Sequence, residues 1–312
     1  MACAERASPN DRIKGMSEIA PATPEKLPGE QETFHEVNGL RLRVRTWGDD
    51  NAPSVVLLHG LRGFSGTWRG LARRLSGSFR LIAIDQRGRG ESDWDPERNY
   101  YTDAYLADLV AIVDQLGLER FSLLGHSMGG TTSYVYAAQH PERLNALIIE
   151  DIAPGASVSG EGAERIRAEM AALPIDFDSW ATARDYWRRA RPSVSEEALE
   201  QRLAESLTVG PDGRVIWQYD ARGISETRLN PSPERVVDLW PVIERIHTPT
   251  MIIRGERSDF CAVDAVEEMK RRNPCIRSLT VVGASHYVHD DAPDVFAREV
   301  SRFLNSAQRI SA

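Results

Sequence analysis

Cysteine is scarce in this sequence, and the few cysteines form no recognisable pattern. Among 312 residues only Cys3, Cys261 and Cys275 occur. This number and spacing provide neither a disulfide framework nor a set of metal ligands. A reducing compartment is the simplest setting for such a sequence, and we therefore predict a cytoplasmic protein.

Two further absences restrict the partners of the protein. No stretch approaches the roughly 18 consecutive apolar residues of a membrane span, so we expect no membrane partner. The 38 basic residues are outnumbered by 46 acidic residues, which gives a net charge of −8. Since no basic stripe offsets this excess, we expect no nucleic-acid partner. A small-molecule substrate is the expected partner, and the sequence leaves a homodimer open.

The pattern of apolar runs divides the chain into three parts. Residues 1–32 are rich in Pro, Ala, Glu and Ser and lack the apolar core of a signal peptide, which predicts a disordered leader. Residues 33–153 and 248–308 alternate buried strands with helices, a pattern typical of an α/β core with a mostly parallel sheet. Between them, residues 154–247 lack buried strands, and we predict an inserted helical lid.

The first two strands are predicted to form a hairpin that turns at Asn38-Gly39, the strongest short signal for such a turn. In the second strand, apolar residues alternate with Arg41, Arg43 and Arg45. Alternation of this kind indicates one buried face and one wet face. We therefore expect the three arginines to lie on a solvated face.

One pentapeptide carries the strongest chemical signal. Gly125-His-Ser-Met-Gly129 matches G-x-S-x-G and lies between a predicted buried strand, 121–124, and a predicted helix, 131–139. A serine that attacks a carbonyl must stand clear of its own backbone, so it occupies a tight, strained turn between strand and helix. The positions two before and two after it must be small, because the strand folds against the helix there. Ser127 is therefore the predicted nucleophile.

The other candidate catalytic residues also follow predicted strands directly. The full set is His59, Ser127, Asp151, Asp259 and His286. Loops at the carboxyl ends of parallel strands meet at one edge of a sheet, so these residues are expected to converge. His286 would take the proton of Ser127 and return it to the leaving group. Either Asp151 or Asp259 could orient the imidazole, since both give the order Ser, Asp, His.

A glycine-rich loop follows His59 and is predicted to form part of an oxyanion hole. The expected donors are the backbone N–H groups of Leu61 and Met128, and each such donor contributes about 3–4 kcal/mol to transition-state stabilisation. Arg62, beside this loop, is a candidate for binding a substrate carboxylate, with exposure at the surface as the alternative. The tryptophans of the lid favour an apolar or aromatic substrate group, or else they pack the lid helices together.

Taken together, four motifs resemble those of the α/β-hydrolase superfamily. They are His59-Gly-Leu-Arg-Gly63, Asp85-Gln-Arg-Gly-Arg-Gly90, the G-x-S-x-G pentapeptide and Gly283-Ala-Ser-His286. The resemblance covers roughly residues 33–305. It implies an eight-stranded, mostly parallel sheet flanked by helices, with an inserted helical lid. It also implies a Ser-Asp-His triad that needs neither a metal nor an organic cofactor.

Two more segments are similar to one branch of that superfamily. Glu150-Asp-Ile-Ala-Pro154 and Arg254-Gly-Glu-Arg-Ser258 resemble segments of small-ester esterases and of the amide hydrolases of vitamin B6 and nicotinate breakdown. In that branch the acid follows the strand after the nucleophile helix, which implies Asp151. Members that use the later position usually carry Asp three residues after the strand-end glycine, where this chain has Ser258. The resemblance therefore favours Asp151 over Asp259.

The resemblance implies hydrolysis of a small ester, lactone or amide through an acyl-enzyme. Two alternatives stay open. One is a C–C bond hydrolase or cofactor-free oxygenase on the same fold, and the other is a ligand receptor without catalysis. The serine at position 127 separates the chain from haloalkane dehalogenases and epoxide hydrolases of this fold, whose nucleophile is Asp.

Overall fold

The computed structural model describes residues 19–156, 160–192 and 194–311. Its strands are β1 (Gln31–Val37), β2 (Leu40–Trp47), β3 (Ser54–Leu58), β4 (Arg80–Ile84), β5 (Phe121–His126), β6 (Leu144–Glu150), β7 (Asp176–Phe177), β8 (Leu207–Val209), β9 (Val215–Trp217), β10 (Thr250–Gly255) and β11 (Ile276–Val281). Its α-helices are α1 (Arg69–Leu75), α2 (Thr102–Gln115), α3 (Met128–Gln139), α4 (Glu161–Ala171), α5 (Trp180–Ala190), α6 (Glu196–Ser206), α7 (Ala221–Leu229), α8 (Leu239–Ile243), α9 (Val263–Arg272), α10 (Val288–Asp291) and α11 (Pro293–Ser311). Short 3-10 turns occur at Ser65–Trp68, Pro141–Arg143 and Pro233–Arg235.

Eight strands form one sheet in the order β1-β2-β4-β3-β5-β6-β10-β11. The pairs β1–β2 and β2–β4 are antiparallel, whereas the remaining pairs are parallel. The predicted mostly parallel, eight-stranded α/β sheet is therefore confirmed. The register places Leu58 beside Gly125 and His126 beside Glu150. The carboxyl ends of β3, β5 and β6 consequently lie side by side, where the candidate residues begin.

Helices cover both faces of this sheet. Alternate side chains of an inner strand therefore belong to two different hydrophobic cores, one on each face. In β3, Val56 and Leu58 pack in a core with residues of α2, α3, α8 and α9. Val55 and Leu57 pack on the opposite face with residues of α1 and α11. Burial on both faces explains why the parallel strands appear in the sequence as continuous apolar runs.

The end of the predicted leader is anchored to the core. Residues 1–18 lie outside the described residues, but the side chain of Glu30 is buried and accepts hydrogen bonds from Trp47 Nε1 (2.9 Å) and Arg69 Nη2 (3.0 Å). Gln31 and Glu32 already belong to β1. The predicted boundary at residue 32 therefore falls inside a strand.

The prediction of a solvated arginine face on β2 is wrong at two of its three positions. Arg41 is exposed, but Arg43 and Arg45 are each only 3% exposed. Arg43 Nε donates to Asp85 Oδ2 at 2.7 Å, and Arg45 Nη2 to Glu32 Oε1 at 3.0 Å. Because β2 is an inner strand, carboxylates of neighbouring segments cover this face and neutralise it.

The insertion between β6 and β10 contains strands as well as helices. Residues 174–218 form a compact unit of their own, with α5, α6 and a small antiparallel sheet in the order β7-β9-β8. The sequence analysis missed these three short strands. Residues 157–159 and 193 of the predicted lid lie outside the described residues, and its boundaries at 154 and 247 stay a prediction.

Aromatic side chains form the centre of the 174–218 unit. The ring centroid of Trp217 lies 5.3 Å from that of Phe177 and 5.9 Å from those of Tyr186 and Trp187. Trp187 and Trp217 are buried. These contacts favour the second of the two interpretations of the lid aromatics, in which they pack the elements of the insertion together.

Among the described helices, none combines the length and apolar character needed to cross a membrane.

Candidate active site

Ser127 occupies a strained turn between β5 and α3. Its φ and ψ angles are 51° and −114°, a region that costs a residue with a side chain on the order of 1–3 kcal/mol. Its N–H donates to the carbonyl oxygen of Glu150 at 2.9 Å. A Cβ atom at Gly125 would clash with the carbonyl oxygen of Gly129, and one at Gly129 with that of Leu58. The tight turn with small residues on both sides therefore has the form that the sequence predicts.

His126 joins this turn to the loop that carries His286. Its Nε2–H donates to the carbonyl oxygen of His286 at 3.0 Å, and the two ring centroids are 4.7 Å apart. The ring of His126 is buried and also lies 5.4 Å from that of Tyr287. Packing and this hydrogen bond hold His126 in place, and they bring the backbone of the predicted nucleophile and that of the predicted base together.

Asp151 and His286 form a buried hydrogen-bonded pair. Asp151 follows β6 directly, and its Oδ2 accepts from Nδ1 of His286 at 2.8 Å. Its Oδ1 accepts from the N–H of Gly255, at the end of β10, at 2.8 Å. Because the carboxylate holds the proton on Nδ1, the neutral imidazole keeps its lone pair on Nε2, which is the form that a general base requires.

Ser258 provides a further contact to the same carboxylate. Its hydroxyl donates to Asp151 Oδ2 and accepts from the N–H groups of Phe260 (3.1 Å) and Cys261 (3.0 Å). The sequence analysis identified position 258 as the place where related proteins carry their acid, but it gave the serine no role. Its spacing from the strand-end glycine, Gly255, was the signal that could have suggested one.

Asp259, the alternative acid, is bound to an arginine of α4. Arg165 Nε and Nη2 donate to the two carboxylate oxygens of Asp259 at 2.6 and 3.0 Å. Burial opposes ionisation of Asp259, but the hydrogen bond and the charge of Arg165 outweigh it, so the pKa of Asp259 is lowered. The structure therefore joins Asp151 to His286 Nδ1 and Asp259 to Arg165.

His59 fixes the conformation of the glycine-rich loop after β3. Its Nδ1–H donates to the carbonyl oxygen of Gly60 at 2.8 Å, and its Nε2 accepts from the N–H of Gln86 at 3.1 Å. Burial lowers the pKa of His59 to about 4, so its ring is neutral near pH 7. With both ring nitrogens engaged, His59 is a structural residue of the loop.

Arg89 connects the two residues of the predicted oxyanion hole. Its Nε donates to the carbonyl oxygen of Leu61 at 3.1 Å, and its Nη2 to Met128 Sδ at 3.3 Å. Within the part of the chain that the structure describes, no hydrogen bond occupies the backbone N–H of Leu61 or of Met128. Two such donors are suited to bind an oxyanion. The sequence analysis missed Arg89, because its partners are brought together only by the fold.

Arg62 is paired within the protein. Its Nη2 donates to Glu169 Oε2 at 2.6 Å, and Glu169 Oε1 accepts from Arg165 Nη1 at 2.7 Å. The side chain of Arg62 is only 7% exposed, so the alternative of surface exposure is wrong. A substrate carboxylate could bind Arg62 only if Glu169 moved away.

A second acid–histidine pair lies beside the site and was missed by the sequence analysis. The N–H and Nδ1 of His289 are 2.9 and 2.8 Å from Glu150 Oε1, and both side chains are buried. With His126 they place three potential metal ligands within 4.8 Å of one another. His289 is hydrogen-bonded to Glu150, and His126 is hydrogen-bonded to His286. We therefore interpret these three side chains as a structural support for the site and assign them no metal.

Comparisons with known proteins agree with this architecture. The family described as alpha/beta hydrolase fold matches residues 53–293. A Bacillus subtilis protein provisionally named 2-succinyl-6-hydroxy-2,4-cyclohexadiene-1-carboxylate synthase is 35% identical over 273 residues, which are 86% of this chain and 96% of that protein. A 2-(acetamidomethylene)succinate hydrolase of Mesorhizobium japonicum is 27% identical over 271 residues, 87% of this chain and 94% of that protein. The crystal structure of E-2-(acetamidomethylene)succinate hydrolase superposes with a TM-score of 0.79 at 25% identity, covering 88% of this chain and 99% of that one.

Proposed function

Since this chain belongs to the α/β-hydrolase fold family and is a hydrolase of that fold, we propose that it is a serine hydrolase. In this proposal it cleaves a small carboxylic ester, lactone or amide through an acyl-enzyme. Ser127 is the nucleophile, His286 the general base and acid, and Asp151 the residue that orients the imidazole. The name of the Mesorhizobium japonicum relative, a hydrolase of a succinate derivative, supports a small-molecule substrate.

The proposed reaction has two half-reactions. Ser127 Oγ attacks the substrate carbonyl while His286 Nε2 accepts its proton, and the resulting oxyanion is bound by the N–H groups of Leu61 and Met128. His286 then gives the proton to the leaving alcohol or amine as the carbon–heteroatom bond breaks. Water, deprotonated by the same imidazole, attacks the acyl-enzyme and releases the carboxylic acid and the free Ser127 hydroxyl.

One observation carries this proposal: the buried 2.8 Å hydrogen bond between Asp151 Oδ2 and His286 Nδ1. It fixes the tautomer in which Nε2 can accept a proton, in a loop that His126 holds against the strained turn of Ser127. Asp259 does not offer this arrangement, because Arg165 engages both of its carboxylate oxygens.

Active-site labelling tests the nucleophile directly. A fluorophosphonate probe should label the wild-type protein at Ser127, and 4-nitrophenyl acetate or butyrate should be hydrolysed. Both activities should be lost in Ser127→Ala and kept in Ser78→Ala, a control at an exposed serine. A wild-type protein that neither reacts with the probe nor hydrolyses these esters would contradict the proposal, and so would labelling that persists in Ser127→Ala.

A further inference from the structure

Helix α4 contacts two loops that lie on opposite sides of the predicted triad. One is the glycine-rich loop after β3, which contains Leu61 and Arg62, and the other is the loop after β10, residues 256–260. In the sheet, β5 and β6 lie between β3 and β10, and Ser127 and Asp151 follow β5 and β6 directly. Three strand spacings of about 4.8 Å separate the two loops by roughly 14 Å. Helix α4 therefore bridges the part of the sheet edge from which the catalytic residues emerge.

Four charged side chains of alternating sign connect the two loops through α4. In spatial order, this ion-pair chain consists of Arg62, Glu169, Arg165 and Asp259. Arg62 donates to one carboxylate oxygen of Glu169 at 2.6 Å, and Arg165 donates to the other at 2.7 Å. The guanidinium of Arg165 also donates to both carboxylate oxygens of Asp259, at 2.6 and 3.0 Å. Because each inner side chain is shared by two partners, the connection is continuous from one loop to the other.

The ion-pair chain is less exposed than ordinary ion pairs at a protein surface. The side chain of Arg62 is 7% exposed, and those of Asp259 and Glu169 are 23% and 28% exposed. Single exposed ion pairs contribute little to stability. A guanidinium that donates two parallel hydrogen bonds, as Arg165 does, fixes the geometry of its partner as well. The arrangement is therefore suited to hold the two loops in a fixed relation.

Close packing holds the same helix against the loop after β10. A Cβ atom at Gly162 would lie 2.5 Å from the carbonyl oxygen of Asp259 and 2.9 Å from Cδ2 of Phe260, well inside the separation of about 3.5–4.0 Å at which carbon atoms pack. The ring centroid of Phe260 lies 4.4 Å from that of His286, and 5.4 Å from the guanidinium carbon of Arg165. Helix α4 therefore touches the side chain that packs against the proposed general base.

At its other end, the ion-pair chain reaches the predicted oxyanion hole. Arg62 directly follows Leu61, whose N–H is one of the two expected oxyanion donors. The loop also passes close to the nucleophile, since a Cβ atom at Gly60 would lie 3.4 Å from Cβ of Ser127. An oxyanion donor acts at about 2.7–3.1 Å from the charged oxygen. A small displacement of this loop is therefore enough to weaken the stabilisation of the transition state.

We infer that α4, through this ion-pair chain, positions the oxyanion hole relative to the nucleophile, and that Glu169 and Arg165 are positioning residues of the proposed reaction. They act through Arg62 and the loop that carries Leu61, and this role requires no contact with the substrate. The inference rests on the proposed hydrolase function and extends it, because it makes α4 a part of the catalytic machinery.

Removing the central negative charge tests the inference. Glu169→Gln should lower kcat for 4-nitrophenyl acetate by about tenfold, the effect of a lost charge-assisted hydrogen bond. KM should change by less than about twofold, because the oxyanion exists only in the transition state. Glu164→Gln, at an exposed glutamate of the same helix, is the matched control and should keep wild-type kinetics. An unchanged kcat in Glu169→Gln, or an effect confined to KM, would overturn the inference. Wild-type turnover and probe labelling would still support the hydrolase function.

A pair of ketone inhibitors distinguishes positioning of the oxyanion hole from a general effect on stability. The ketone 1,1,1-trifluoro-4-phenylbutan-2-one accepts the attack of a serine hydroxyl and forms a tetrahedral oxyanion, whereas 4-phenylbutan-2-one stays a neutral ketone. In Glu169→Gln, the inhibition constant of the trifluoromethyl ketone should rise by about the same factor as kcat falls. The inhibition constant of the methyl ketone should stay the same. Equal changes for the two ketones, or no change for either, would overturn the inference.

Gly162→Ala displaces α4 without removing a charge. The added methyl group would press against the loop after β10, so kcat should again fall by about tenfold, although alanine favours a helix more than glycine does. Gly70→Ala is the matched control, because Gly70 is likewise the second residue of a helix, α1, and a Cβ atom there would meet no atom within 4 Å. Wild-type kcat in Gly162→Ala would overturn the inference, since the position of α4 would then not matter for catalysis.

Discussion

Ser258 donates its hydroxyl hydrogen to Oδ2 of Asp151, the same carboxylate oxygen that accepts the Nδ1–H of His286. The carboxylate belongs to the end of β6 and the serine to the loop after β10, so the contact spans two neighbouring parallel strands. The resemblance described above implies that some members of the superfamily carry their acid at the position of Ser258. In this protein Ser258 instead supports the carboxylate on the adjacent strand that we propose as the acid.

Removing that support is expected to weaken catalysis without abolishing it. Ser258→Ala should lower kcat by roughly tenfold, because a hydrogen bond to a charged group contributes about 1.5–3 kcal/mol. Steady-state kinetics with 4-nitrophenyl acetate would measure the effect. Ser258→Thr, which keeps the hydroxyl, is the matched control; an unchanged kcat in Ser258→Ala would refute the role.

The choice between the two acids can be measured with two single substitutions. Asp151→Asn should reduce kcat by about 10⁴-fold, because the amide no longer holds the imidazole in the required tautomer. Asp259→Asn should have a much smaller effect, since the carboxylate that it removes binds Arg165. A loss of several orders of magnitude confined to Asp259→Asn would show that the assignment of Asp151 is wrong.

The acid should be transferable from position 151 to position 258. The double variant Asp151→Asn/Ser258→Asp is expected to recover at least about tenfold in kcat over Asp151→Asn, because a side chain at 258 already reaches the atom that contacts His286. The asparagine is chosen because residue 151 has a φ of 57°, which Asn tolerates better than most residues. Ser258→Asp alone is the control and should lower activity, since two adjacent carboxylates repel each other. A double variant no faster than Asp151→Asn would contradict the prediction.

Features set by local pattern could be predicted from the sequence. The apolar run at 121–124 indicated a buried strand, and the small residues around Ser127 indicated the strained turn. The residues that pack over a given face of a strand or loop could not be predicted in this way. Alternation along β2 showed which side chains share a face of the strand. It did not show that Asp85, 42 residues after Arg43 in the chain, would neutralise the Arg43 guanidinium on that face. The same limit applies to Arg62 and Glu169, which are 107 residues apart in the chain.

The choice between Asp151 and Asp259 illustrates this limit of sequence-based prediction most clearly. The residues alone allowed two aspartates, both at strand ends, and only the resemblance of the 150–154 segment to known proteins favoured one of them. Which carboxylate reaches the imidazole depends on backbone direction and on competing partners. Asp151 turns toward His286 with a positive φ, whereas α4 of the insertion supplies Arg165 to Asp259. Neither fact has a signal in the local sequence.

His59 is expected to make the stability of the protein depend on pH below neutrality. Burial lowers its pKa in the folded state from 6.5 to about 4, so between these values the unfolded chain binds a proton that the folded protein excludes. Stability from this residue is therefore complete above pH 6.5 and decreases as the pH falls toward 4. A shift of this size corresponds to about 3 kcal/mol for a fully buried group.

Urea unfolding of wild type and His59→Gln at pH 7.5, 6 and 4.5 would measure this contribution to stability, because the effects of carboxylates common to both proteins cancel in the difference. The free energy of unfolding of wild type should exceed that of His59→Gln at pH 7.5, and this difference should shrink by about 2–3 kcal/mol at pH 4.5. A difference that stays constant with pH would mean that His59 is protonated in the folded protein at pH 4.5 and that its Nε2 does not accept from Gln86.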